Sequence, residues 1–130
     1  METTKTLRTL RNELAAAQKQ YATARALYDT AAAASSREIA ALTVERGLEP
    51  GSDAFFDECD ALEDKLQTGE LFRLRLQAEV VMVEAVRAIM TADPRVAARY
   101  STIAPAFEQW RTAPLKLRDR MVDLCFRFAA

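Results

Sequence analysis

TTKTLRTLRNELAAAQKQYATARALYDTAAAASSREIAALTVER, residues 3–46, runs without a single glycine or proline. Within it one position recurs every seven residues as Leu7, Leu14, Tyr21, Tyr28, Ser35 and Leu42, and three residues after the first four of these come Leu10, Ala17, Ala24 and Ala31. Apolar residues alternating at three and four positions line one side of a helix, so the stretch predicts a long helix with a coiled-coil-type seam. Large residues paired with alanine let two backbones approach toward the lower end of the roughly 8–10 Å interaxial range. The seam formed by Leu7, Leu10, Leu14, Ala17, Tyr21, Ala24, Tyr28 and Ala31 therefore calls for a close antiparallel partner. Beyond Ala31 it weakens: Ser35 and Glu38 replace large apolar residues and Ile39 shifts the stripe sideways, so a changed contact face is expected there.

The next segment, GLEPGSD at residues 47–53, collects Gly47, Pro50 and Gly51 and ends in Ser52 and Asp53, either of which suits a helix N-cap. It reads as a hairpin tip. After it Phe55, Cys59, Leu62 and Leu66 follow 4-3-4 spacing, while Asp53, Asp57, Asp60 and Asp64 follow 4-3-4 spacing two residues out of phase. Two residues are about 200° of helical rotation, so the apolar and acidic faces are opposed. The apolar pattern resumes as Leu76, Val80, Val83 and Met90, widened by Leu71, Phe72 and Leu74. One helix over about residues 53–92 is expected, with Gly69 marking a kink or a close helix contact, because glycine costs about 1 kcal/mol against alanine inside a helix.

Asp93-Pro94 is an N-cap followed by proline at the first helical position, and Thr102 to Pro105 and Ala113-Pro114 read as further restarts. Tyr100, Phe107 and Trp110 are expected to anchor this broken segment. Its last piece puts Leu117, Met121, Leu124, Cys125 and Phe128 on one stripe and Lys116, Arg120, Asp123 and Arg127 on the other. The expected fold is all-α: a single helical-bundle domain over residues 1–130, made of a long antiparallel hairpin at 3–92 and a broken C-terminal arm at 94–129.

Composition supports helices and narrows the chemistry. Of 130 residues 25 are alanine, the best helix former, and only three are glycine. Histidine is absent, which removes His-type zinc sites, Ser-His-Asp triads and Cys-His dyads. Cys59 and Cys125 form no CxxC pair and are expected to be small buried hydrophobes. The first fourteen residues hold Glu2, Lys5, Arg8, Arg11 and Glu13 without an apolar run, so no secretory signal is expected and a cytoplasmic location is. The strongly apolar run Val80–Val83 stops at Glu84, far short of the ~20 residues of a membrane helix.

Charge is unevenly distributed. Residues 1–69 hold 8 basic and 12 acidic side chains, and residues 70–130 hold 10 basic and 7 acidic, so a formal net charge of −1 conceals two opposed halves. The acidic set Asp53, Asp57, Asp60 and Asp64 has the spacing to face a hard cation, but no second ExxE or ExxD motif completes a two-helix site, and solvation of an outer helix face accounts for it. Lys116, Arg120 and Arg127 offer a basic face to phosphate, although nucleic-acid modules are normally far more basic overall. Glu79, Glu84 and Arg87 are the residues from which a helical-bundle enzyme would hold an anionic substrate, and at their spacing the polar edge of a helix is the simpler assignment.

From Gly47 onward the order of features resembles the YlbF/YmcA-type small helical regulatory proteins. The residues that carry this are the GLEPGSD tip, Leu62, Leu66-Gln67, Leu71 and Leu76-Gln77-Ala78-Glu79, within residues 47–90. The resemblance implies an all-helical hairpin protein that self-associates or joins a small complex as a non-catalytic regulator; no binding residue is transferred from it. The function expected is a protein-protein interaction and oligomerisation module without catalytic residues, metal or cofactor, acting as a homodimer or in a hetero-complex and not at a membrane. A nucleic-acid-contacting regulator is the alternative, and an enzyme comes third.

Overall fold

The computed structural model describes residues 5–99 and 115–127. Among them the chain is helical without strands: α1 (Leu7–Val44), α2 (Asp53–Leu66), α3 (Thr68–Ala92), α4 (Pro94–Arg99) and α5 (Leu115–Arg127). The described residues are thus all-α, as the sequence predicts. Tyr100, Phe107, Trp110, the restarts at Thr102 to Pro105 and Ala113-Pro114, and Phe128 lie outside the described residues. No described helix is long and apolar enough to cross a membrane.

α1 extends over 38 residues because nothing in it breaks the ladder. Thr6 opens it, its hydroxyl accepting the Thr9 N–H at 3.2 Å. At the other end Gly47 takes φ +65°, a conformation glycine adopts without a Cβ penalty, and the Leu48 N–H returns to the Leu42 carbonyl at 3.0 Å. Ser52 is the N-cap of α2: its hydroxyl accepts from the Phe55 N–H at 3.2 Å and donates to the Glu49 carbonyl at 2.7 Å.

The single helix expected over 53–92 is interrupted at Gln67, which adopts φ 58°, ψ 36°. The reason is a side-chain cap supplied from the helix before. The Glu63 carboxylate accepts the Gly69 N–H at 2.6 Å through Oε1 and the Thr68 hydroxyl through Oε2. These bonds satisfy the start of α3, and they hold the Glu63 carboxyl below its usual range, the Thr68 hydroxyl first and the Gly69 N–H second. Gly69 thus marks a close contact: a Cβ there would sit 2.9 Å from Glu63 Oε1.

The chain divides into two compact units, one drawn from Met1–Tyr21 and Gln77–Ala130, the other from Ala22–Leu76. In the second unit α2 and the start of α3 run antiparallel to the later part of α1. Arg46 pairs with Glu58 at 3.1 Å, Glu38 with Lys65 at 3.7 Å and Asp29 with Arg75 at 3.9 Å, partner numbers rising as α1 is read backwards. The Arg75 guanidinium lies over the Tyr28 ring at 5.4 Å, and Phe72 packs against the same tyrosine.

The first unit holds the deepest core. Tyr21, Met82, Val83, Val86, Ile89, Val96, Met121 and Cys125 are its fully buried side chains, drawn from α1, α3, α4 and α5. The buried stripe of α3 runs through Ala78, Glu79, Met82, Val83, Val86 and Ile89, whereas Leu76, Val80 and Met90 are only half-buried. The offset from the Leu76-Val80-Val83-Met90 stripe arises because α3 is packed by more than one helix, which moves the centre of its buried face.

Candidate interaction surface

The seam residues of α1 point into the chain itself. Leu10, Leu14, Ala17, Tyr21 and Ala31 are buried, and Leu7, Ala24 and Tyr28 are half-buried. Leu42 is buried as well, while Ser35 and Ile39 are half-buried and Glu38 is exposed, in keeping with a changed face beyond Ala31.

In the first unit α5 docks on one flank of α1 and α3. Phe126 packs on Tyr21 at 5.7 Å, Gln18 Nε2 donates to the Cys125 carbonyl at 2.7 Å, and Arg118 Nη2 meets Glu79 Oε2 at 2.9 Å. Glu79 is the one buried charged residue among the described residues. Burial first, and the Glu79 charge second, push the Cys125 thiol up to about 12, so it is protonated and unreactive near neutral pH. Cys59 is half-buried and free.

Val81 follows Glu79 by two residues, about 200° around α3, so the opposed flank of this helix is a separate surface. There Ala16, Ala17, Gln20, Val80, Val81, Ala85 and Ala88 line an open groove between α1 and α3 with a volume of about 540 Å³. Val81 stands half out of the protein at 50% exposure while the alanines form a low floor. Lys5, Glu13 and Glu84 complete the lining, and each charge has a counter-ion: Lys5 bridges Glu13 at 2.8 Å, and Glu84 holds Arg87 Nη1 at 2.8 Å. The groove is apolar inside and electrically balanced at its edge.

The acidic set Asp53, Asp57, Asp60 and Asp64 is exposed along α2, and no group of three or more potential metal ligands gathers among the described residues. Of the candidate basic face, Arg120 and Arg127 are exposed on α5; the Lys116 side chain lies outside the described residues. Arginines counted toward a basic second half are partly engaged within the chain, Arg73 by Glu70, Arg75 by Asp29 and Tyr28, Arg87 by Glu84 and Arg118 by Glu79. Glu79, Glu84 and Arg87 do not converge on one site, since Glu79 turns to α5 and Glu84 lines the groove.

Sequence reasoning identified Ala17 of the groove alanines but passed over Ala16, Ala85 and Ala88. The signal was present: Val81, Ala85, Ala88 and Ala92 follow 4-3-4 spacing. Comparisons with known protein families, with curated proteins and with solved structures found no match to this chain.

Proposed function

We propose that this chain is a non-catalytic, cytoplasmic helical module that acts through protein-protein contact, as a regulatory or adaptor component that oligomerises or joins another protein. The observation that supports this reading is the groove of α1 and α3, which leaves apolar side chains and a half-exposed valine open to water beside balanced charges. Water-exposed apolar surface with a polar edge is the character of a surface built for protein contact. In the buried interior of the first unit the chemically capable groups are committed to structure: Cys125 is held as a thiol, and Glu79 neutralises Arg118.

The test is to compare wild type with Ala88→Glu, which places a carboxylate on the groove floor. Light scattering on the purified protein reads self-association, and quantitative affinity capture from the native cell reads a second protein. Loss of either association in a variant that keeps its helical circular dichroism supports the reading. A wild-type protein that neither self-associates nor retains any partner overturns it.

A further inference from the structure

The backbone at the joint of α2 and α3 can be satisfied in two ways. No proline stands between Leu66 and Glu70, so the ladder of one helix could run through. An unbroken helix would bond the Gly69 N–H to the Lys65 carbonyl and the Thr68 N–H to the Asp64 carbonyl. Side chains take these places instead: the Glu63 carboxylate accepts the Gly69 N–H at 2.6 Å, and Gln67 Nε2 donates to the Asp64 carbonyl at 3.0 Å. The Thr68 hydroxyl donates to the second oxygen of the same carboxylate. Gln67 is left at φ 58°, a conformation that an unbroken helix would relieve.

What opposes the unbroken helix is the face that α2 turns to α1. Leu62 is the one buried residue of α2, and Phe55, Cys59 and Leu66 are half-buried on the same side. Past the joint, Phe72 and Arg75 reach Tyr28 of α1. An unbroken helix would set Phe72 about 110° and Arg75 about 170° around from the apolar face of α2. The two sets of contacts with α1 would then exclude each other. Arg46-Glu58, Glu38-Lys65 and Asp29-Arg75 keep a near-constant sum of residue numbers on both sides of the joint. The break therefore leaves the axial register alone and changes only which way α2 faces.

The hold of α2 on α1 is slight. In that register Leu62 lies level with Leu42, itself buried, and the flanking pairs Arg46-Glu58 and Glu38-Lys65 are exposed, where ion pairs contribute little. We propose that α2 is a strap latched by the Glu63 carboxylate. With the latch closed α2 lies on α1; with it open, residues 53–92 join into one helix and α2 lifts away, uncovering Leu42. Gly69 belongs to the latch, because a Cβ there would sit 2.9 Å from Glu63 Oε1 and displace the carboxylate. None of these residues lines the groove of α1 and α3, so the strap does not rest on the interaction reading above.

Cys59 reports on the strap, since it is half-buried on the face that α2 turns to α1, whereas Cys125 is buried and protonated near neutral pH. The experiment is thiol labelling of the whole chain near neutral pH, read together with helical circular dichroism. Glu63→Gln and Gly69→Ala are each expected to speed Cys59 labelling at least about threefold while the helical signal holds or rises. Gln67→Gly suits the left-handed joint and weakens an unbroken helix, so it is expected to slow labelling. Gly69→Ala separates the strap from ordinary helix propensity, because an alanine that only strengthened α3 would slow labelling. Cys125 stays unlabelled in each folded variant. An unchanged Cys59 rate in Glu63→Gln overturns the strap, as does slower labelling in Gly69→Ala. Faster labelling accompanied by a loss of helical signal overturns it too, since α2 would then be unfolding instead of joining α3.

Discussion

Arg118 Nη2 lies 2.9 Å from Glu79 Oε2, an ion pair that links α5 to α3 across 39 residues of sequence inside the first unit. Its two side chains are 20% and 8% exposed, so both charges have lost most of their water. A pair in this position specifies how α5 docks more than it stabilises the docked state, because desolvation offsets most of the attraction. Removing one partner strands the other. Arg118→Met is expected to cost about 2–3 kcal/mol, below the full range for wholly buried pairs because part of the arginine remains wet. The double variant Glu79→Met with Arg118→Met should lose less than the single one. Urea unfolding of the three proteins measures this, and additive losses would show that the two groups do not act as a pair.

Cys125 shares this interior, and its raised pKa makes stability depend on alkali. The folded thiol is pushed from 9.0 to about 12, so above pH 9 the unfolded chain releases a proton that the folded chain keeps. The contribution is fully present below 9 and is lost as the pH rises toward 12, at a limiting rate of about 1.4 kcal/mol per pH unit. Wild type should therefore lose stability faster than Cys125→Ala between pH 9 and about pH 11. Parallel curves for the two proteins would contradict the assignment. A thiol reagent near neutral pH should label Cys59 well before Cys125.

How much of this was legible beforehand differs from element to element. α1, the tip and the inward face of the α1 seam follow from local information: absent breakers, Gly47 and Ser52 at their turns, and seven-residue spacing. The break at Gln67 does not, because glutamine carries no sign of a left-handed conformation and the cap that compensates it comes from Glu63, a side chain six residues before the Gly69 N–H it receives. The Glu79-Arg118 pair depends on where α5 returns, which no local pattern encodes. The groove lay between these cases. Its alanines were visible, but alanine also serves as helix filler, and only the position of α5 on the opposed flank of α3 shows which alanines stay uncovered.

The α2-α3 junction offers a test of that cap. Gln67 at φ 58° is in a region where a side chain costs about 1 kcal/mol relative to glycine, so Gln67→Gly is expected to raise stability by about that amount, and Gln67→Val to lower it. The lowered Glu63 pKa has the opposite pH sense to Cys125. Its stabilising effect is present above the ordinary carboxyl value of 4.5 and is lost as pH falls through the lower folded value. Glu63→Gln should therefore flatten the acid limb of the stability curve, read as the thermal midpoint from pH 7 downward.

The seam itself can be probed by size. Ala17 is 3% exposed where α1 meets α3, whereas Ala15 faces solvent on the same helix. Leucine has nearly the helix propensity of alanine, so propensity alone predicts almost no change at either position. Packing predicts a large difference, since a buried alanine in a close helix contact leaves no room for three more carbons and overpacking costs about 1–3 kcal/mol. Ala17→Leu should lower the urea midpoint with an unchanged slope, and Ala15→Leu should leave it within about 0.5 kcal/mol of wild type. Equal midpoints for the two variants would mean that the alanines of α1 are filler. A loss confined to Ala17 shows that alanine at this position sets the spacing of α1 and α3, and through it the width of the groove that these helices share.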